Sequence, residues 1–99
     1  MTAVVWRLYV VRANDGTLYT GIATDVSRRL AEHEAGAPRG ARYLRGRGPF
    51  VLELDVPIGD RGQAQRIEHR VKRLSRPRKE ALLAARPGSA HLLALVNAD

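Results

Sequence analysis

Two early stretches of the chain, Val4 to Arg12 and Thr17 to Ala23, concentrate β-branched and aromatic residues and predict a pair of strands. Asp15-Gly16 between them is a hairpin signal. The loop length decides which side chains share a face. A two-residue loop at Asn14-Asp15 sets Tyr9 opposite Thr20 and sends Tyr19 to the other face. A three-residue loop pairs Ala13 with Thr17 and Val11 with Tyr19, so that Tyr9 lies diagonally from Tyr19 on one face. The second arrangement, a type I turn over Asn14 and Asp15 with Gly16 left-handed in a bulge, is the expectation. Farther on, Phe50 to Val56 alternates apolar and polar positions and predicts a third strand, ended by Pro57 to Gly59.

Apart from a basic, glycine-rich loop expected from Gly36 to Gly48, helical periodicity occupies the rest. Thr24 or Asp25 caps a helix running to about Ala35 and stopped by Gly36, with Val26 and Leu30 as its buried stripe. Arg29 and His33, one turn apart, stack along the edge of that stripe, whereas Arg28 and Glu32 look outward. Asp60 opens a second helix, with Gln63 completing a variant capping box. Ala64, Ile67, Val71 and Leu74 form its apolar stripe. At about 100° per residue, Glu68 falls on the flank of that stripe, roughly 80° from its centre. Arg66, Arg70 and Arg73 cluster on the far side. Ser75-Arg76-Pro77 starts a third helix through Arg86, and Pro87-Gly88-Ser89 precedes a last amphipathic turn or two, Ala90 to Val96.

The resulting order, β-β-α-β-α-α-α, predicts a small α+β fold. Its three-stranded antiparallel sheet, the N-terminal hairpin plus a third strand, is flanked by helices. The 99 residues suit one domain, 1–99, with core motifs over about 5–75 and C-terminal helices over 76–97.

Composition narrows the function. The chain has no cysteine, which removes disulfides and thiolate metal sites. No apolar run approaches the roughly 18 residues of a membrane span, and the N-terminus lacks a signal-peptide pattern. A soluble, cytoplasmic protein with no membrane role is expected. The net charge is +7, and every basic residue except Lys72 and Lys79 is an arginine. Guanidinium forks pair bidentately with phosphate, so the bias suits a nucleic-acid partner. An arginine-rich surface also follows from a G+C-rich genome, and an acidic protein is the competing partner.

The hairpin and first helix bring chemistry together. Leu8-Tyr9-Val10 and Tyr19-Thr20-Gly21 put two phenols on the hairpin, Arg29 and His33 follow on the helix, and Glu68 stands within Ala64-Gln65-Arg66-Ile67-Glu68. Taken singly, each has an ordinary explanation: strand aromatics packed on a helix, a surface arginine, a hydrogen-bonded histidine, a glutamate paired with Lys72. As an ordered set they resemble the GIY-YIG nuclease superfamily, and within it the small stand-alone bacterial YhbQ-like members. Those are related to the N-terminal nuclease domain of UvrC-like excinucleases and to the Slx-type nucleases. The resemblance covers roughly Val5 to Ser75.

The resemblance implies a metal-dependent endonuclease hydrolysing DNA phosphodiesters, with branched or damaged DNA among its expected substrates. Tyr9, Tyr19, Arg29, His33 and Glu68 become the catalytic set. Glu68 would hold one divalent ion, Mg2+ or Mn2+, with waters completing the shell. Tyr9 would take a proton from water if a cation or guanidinium lowered its pKa, with His33 orienting it or sharing the proton. Arg29 and Tyr19 would grip the phosphate. DNA is the expected partner ahead of RNA, with a protein partner supplying substrate choice. Contacts to nucleic acid are expected from the glycine-rich loop (Arg42, Tyr43, Arg45, Arg47) and from Arg70, Lys72 and Arg73. Lys72, nearest Glu68, is the best phosphate candidate of these. The first triplet keeps only its tyrosine and the second has Thr20 for isoleucine. The alternative is therefore a non-catalytic nucleic-acid-binding module with a degenerate site. The chemistry requires both phenols, Arg29 and Glu68 to open onto one concavity.

Overall fold

A computed structural model describes residues 4–34 and 49–97. Strands β1 (Trp6–Arg12), β2 (Leu18–Ala23) and β3 (Val51–Gly59) form an antiparallel sheet of order β2-β1-β3. Helices α1 (Val26–Glu34), α2 (Arg61–Arg73), α3 (Arg76–Ala84) and α4 (Ser89–Asn97) complete the predicted order. No helix among the described residues is long and apolar enough to cross a membrane.

The hairpin takes the three-residue loop. Ala13 N donates to Thr17 O at 2.8 Å and Gly16 N to Ala13 O at 2.9 Å. Gly16 has φ +85°, the left-handed conformation that glycine adopts without steric cost. Val11 therefore pairs with Tyr19 and Tyr9 with Gly21, which sets both tyrosines on one face.

β1 is central, and Leu8, Tyr9, Val10 and Val11 are all buried because both of its faces are covered. On one face Leu8, Val10, Leu54 and Val56 pack with Ile67 and Val71 of α2, Leu82 of α3 and Leu92 of α4. On the other, Tyr9, Val11 and Ala23 pack with Val26 and, more peripherally, Tyr19, Leu30 and Phe50. Alternation along each strand thus deals the apolar residues into two cores, one under α1 and one under α2–α4.

Both helices that carry the site are capped as their sequences suggest. Asp25 Oδ1 accepts from Arg28 N at 3.1 Å at the start of α1. At α2, Asp60 Oδ1 accepts from Gln63 N at 2.8 Å, while Gln63 Oε1 accepts from Asp60 N at 3.1 Å. Ser75 caps α3, with proline in its first turn.

The third strand differs from expectation by continuing through Pro57 to Gly59. Proline lacks an amide donor, but β3 is an edge strand and its pairing with β1 shifts register between Trp6 and Arg7, so the missing donor is tolerated. The last helix is also longer than the expected turn or two.

Candidate active site

Tyr9 projects from β1 across β2. A Cβ built on Gly21 would lie 2.5 Å from both Cζ and the hydroxyl oxygen of Tyr9. Only glycine at position 21 leaves room for the phenol to lie against the neighbouring backbone. The hydroxyl then meets His33 Nε2, at 3.1 Å, from the last turn of α1. Tyr19 completes a cluster of three rings, its centroid 6.4 Å from that of Tyr9 and 5.7 Å from that of His33.

Arg29, one turn before His33 on α1, lies close enough to Tyr9 to act on it by charge and hydrogen bonding. Arg29 Nη1 also pairs with Glu32 Oε1 at 3.2 Å. Glu32 is therefore part of the site rather than an outward residue as its helical position suggested. The i, i+3 spacing was the signal available for that pair. Gly21 is the other residue whose role sequence reasoning did not reach, because a glycine records a close approach without naming what approaches.

The flank of α2 closes the β2 edge of the ring cluster. Glu68 Oε2 pairs with Lys72 Nζ at 3.3 Å, and the same ammonium stands 5.9 Å from the centre of the Tyr19 ring. The Glu68 carboxylate is near enough for its charge to be felt at Tyr9. Tyr9, Tyr19, Arg29, His33 and Glu68 are thus gathered around one phenol although they come from four elements. Arg70 and Arg73 are placed elsewhere. They leave α2 toward Leu95 of α4, on the side away from Glu68. Arg42, Tyr43, Arg45 and Arg47 lie outside the described residues.

Burial sets the electrostatics. Tyr9 is 1% exposed and His33 is 2% exposed, so they form the floor of the site rather than an open wall. The side chains of Arg29 and Glu68, 29% and 22% exposed, form its rim. Loss of solvent, then the charge of Tyr19, pushes the Tyr9 phenol up to about 12. Arg29 pulls it down and Glu68 pushes it up by smaller amounts. The expectation that neighbouring cations would lower this phenol is reversed in the protein alone, because desolvation outweighs the guanidinium. Burial also lowers the pKa of His33, helped by Arg29 and opposed by Glu32. The imidazole facing the Tyr9 hydroxyl is accordingly held neutral.

No group of three or more His, Cys, Asp or Glu side chains suited to a metal occurs among the described residues. Glu68 offers a part-exposed carboxylate already facing a cation, the Lys72 ammonium. A magnesium-like ion takes as few as one carboxylate from the protein together with waters and substrate phosphate, and at Glu68 it would have to displace Lys72.

A family model described as the GIY-YIG catalytic domain matches residues 5–81. The chain is 52% identical over 82 residues to a UPF0213 protein of Serratia proteamaculans, covering 83% of this chain and 78% of that one. It is 49% identical over 88 residues to the UPF0213 protein YhbQ of Escherichia coli, covering 89% and 86%. Among solved structures, that of the UPF0213 protein BH0048 from Bacillus halodurans matches with a TM-score of 0.55 at 40% identity. The match covers 89% of this chain and 92% of that one.

Proposed function

This chain belongs to the GIY-YIG family and is similar over most of its length to the YhbQ proteins, and from that premise we propose that it is a metal-dependent endonuclease hydrolysing DNA phosphodiester bonds. The family's catalytic domain is nuclease-type, and the basic surface suits a nucleic-acid substrate. The observation that carries the reading is the gathering of His33, Tyr19, Arg29 and Glu68 around the Tyr9 hydroxyl.

Hydrolysis needs a deprotonated water, neutralised phosphoryl charge and a fixed phosphate. Arg29 supplies the fork for the phosphate, which displaces Glu32 from the guanidinium. A part-exposed ion pair of this kind is worth little, so the exchange costs little. Tyr19 donates a hydrogen bond to the same phosphate. With its phenol pushed up to about 12, Tyr9 is not a standing base at neutral pH. It acts instead as a relay: its oxygen takes a proton from the attacking water as its own proton passes to the neutral His33 Nε2. The water O–H and phenol O–H bonds break as new phenol O–H and Nε2–H bonds form; the water oxygen bonds to phosphorus, the opposite P–O bond breaks, and the leaving oxygen takes a proton from solvent. Magnesium or manganese, held by Glu68 and the substrate phosphate, would supply positive charge to the phosphoryl oxygens.

The test is cleavage of plasmid, flap and junction DNA with magnesium or manganese. Glu68→Ala is expected to lower the rate by two orders of magnitude or more, on the scale of about 10²–10³ for a lost charge-stabilising group. Equal rates for wild type and Glu68→Ala would end the nuclease reading. The burial of Tyr9 favours one alternative, a non-catalytic DNA-binding module. That reading predicts salt-sensitive binding that persists in Glu68→Ala and Arg29→Ala, with no metal-dependent product.

A further inference from the structure

A second feature adjoins the site. Where β1 begins, beneath the first turns of α1, a cleft of about 310 Å³ is lined by Trp6, Ile22, Asp25, Arg28, Arg29 and Glu32, among others. Its size is at the lower end of ligand pockets, roughly 300 to 1,000 Å³. Trp6 is partly exposed, and the Arg61 guanidinium at the start of α2 lies 5.4 Å from the centre of its ring. Arg29 belongs both to this cleft and to the surroundings of Tyr9.

We infer that this cleft is a nucleobase subsite. An unpaired base adjoining the phosphate held by Arg29 stacks against Trp6, which the Arg61 cation already flanks. The inference rests on Arg29 as the phosphate clamp of the proposed function, and it extends that reading to the class of substrate.

Three physical points support a base rather than another group. An indole is a good stacking surface, and every base has a π-face to offer it. Asp25 and Glu32 balance Arg28 and Arg29 in the lining, so beyond the Arg29 clamp the cleft carries no excess positive charge to select a second phosphate. Asp25 accepts from Arg28 N at 3.1 Å and Glu32 pairs with Arg29 at 3.2 Å, yet each carboxylate has further lone pairs. Those accept hydrogen bonds from the N–H edges of a base, and a phosphodiester has no N–H to offer them. Finally, a base inside a duplex is stacked on its neighbours and cannot present a face to Trp6. The nucleotide beside the scissile phosphate must be unpaired, as in a flap, gap or branch.

Trp6 is the single tryptophan of the chain, so its emission reports on this cleft alone. The experiment titrates the full chain, carrying Glu68→Gln to prevent cleavage, with a flap DNA, the matching single strand and a blunt duplex. The expected result is quenching by flap and single strand and almost none by duplex. Binding of dye-labelled DNA, read by anisotropy, should weaken roughly 5- to 100-fold for the flap in Trp6→Ala and stay unchanged for the duplex. Trp6→Phe should retain most of the flap affinity, and it keeps the test open should Trp6→Ala fold poorly. Equal quenching by duplex, or undiminished flap affinity in both variants, would overturn the subsite. Flap-selective quenching in a protein that never cleaves DNA would support the subsite while the nuclease reading falls. Cleavage by the wild type without flap-selective quenching in the Glu68→Gln chain would do the reverse.

Discussion

At the scale of single residues, the site depends on how one phenol is enclosed. Tyr9 lies against Gly21 so closely that a methyl group there would overlap its Cζ and hydroxyl. Gly21→Ala should therefore cost about 1–3 kcal/mol, as overpacking a buried contact does, and should displace the hydroxyl from His33. Urea denaturation would read the first effect, and DNA cleavage, reduced tenfold or more, the second. Enclosure also fixes a pH signature. The phenol is neutral in the fold and its pKa, about 12, exceeds the ordinary value of 10. Its contribution to stability is thus complete below pH 10 and is lost as the pH rises toward 12. The wild type should lose on the order of 2 kcal/mol over that interval from this group, and Tyr9→Phe should not. Absorbance at 295 nm checks the same point, because Tyr9→Phe should remove a tyrosine titration step near pH 12.

At the scale of elements, local chemistry placed most boundaries and missed those settled by partners. The capping box at Asp60 and Gln63, the loop ending at Gly16 and the cap at Ser75 all involve neighbours in sequence, and each was readable. The end of β3 was not, because a proline stops a central strand but not an edge strand, and edge position is a property of the sheet. The docking of α3 was equally hidden. Arg12 of β1 donates to Glu53 at 2.6 Å and to both oxygens of Glu80 at 3.0 and 2.7 Å, while Arg76 reaches Glu80 at 3.0 Å and Gly16 O at 2.7 Å. Hydrogen bonding from Arg12, more than that from Arg76, holds the Glu80 carboxyl down to about 2, against 4.5 ordinarily. The stability this clamp gives is complete above pH 4.5 and is lost as the pH falls toward 2. Glu80→Gln should flatten that acid dependence and speed amide exchange in α3 at pH 6, which hydrogen exchange followed by mass spectrometry would detect. Unchanged exchange in the variant would show that α3 is held by Leu82 and its apolar neighbours alone.

At the scale of the whole molecule, the charge of +7 states that a polyanion is welcome without saying where it binds. The fold divides the basic residues of α2 between two sides. Lys72 stands at the ring cluster, whereas Arg70 and Arg73 lie beside α4. If DNA binds across the proposed site, Lys72→Gln should reduce the slope of log affinity against log salt by about 0.7–0.9, the value of one lost phosphate contact. Arg70→Gln should leave the slope unchanged. Equal reductions in the two variants would assign the α4 side to the interface as well.

Period and turn chemistry in the sequence set the seven elements of the described residues and their order, and favoured the three-residue loop; once that loop forms, a strand's period of two leaves Tyr9 and Tyr19 on one face. The ordered residues of the two triplets, the helix and Glu68 carried the family. Only the tertiary structure decided that Tyr9 is the floor of the site, that its proton is held tightly, and that Glu32, Glu80 and Trp6 have partners. Those properties depend on the exclusion of water and on distances between groups remote along the chain, which no local pattern encodes.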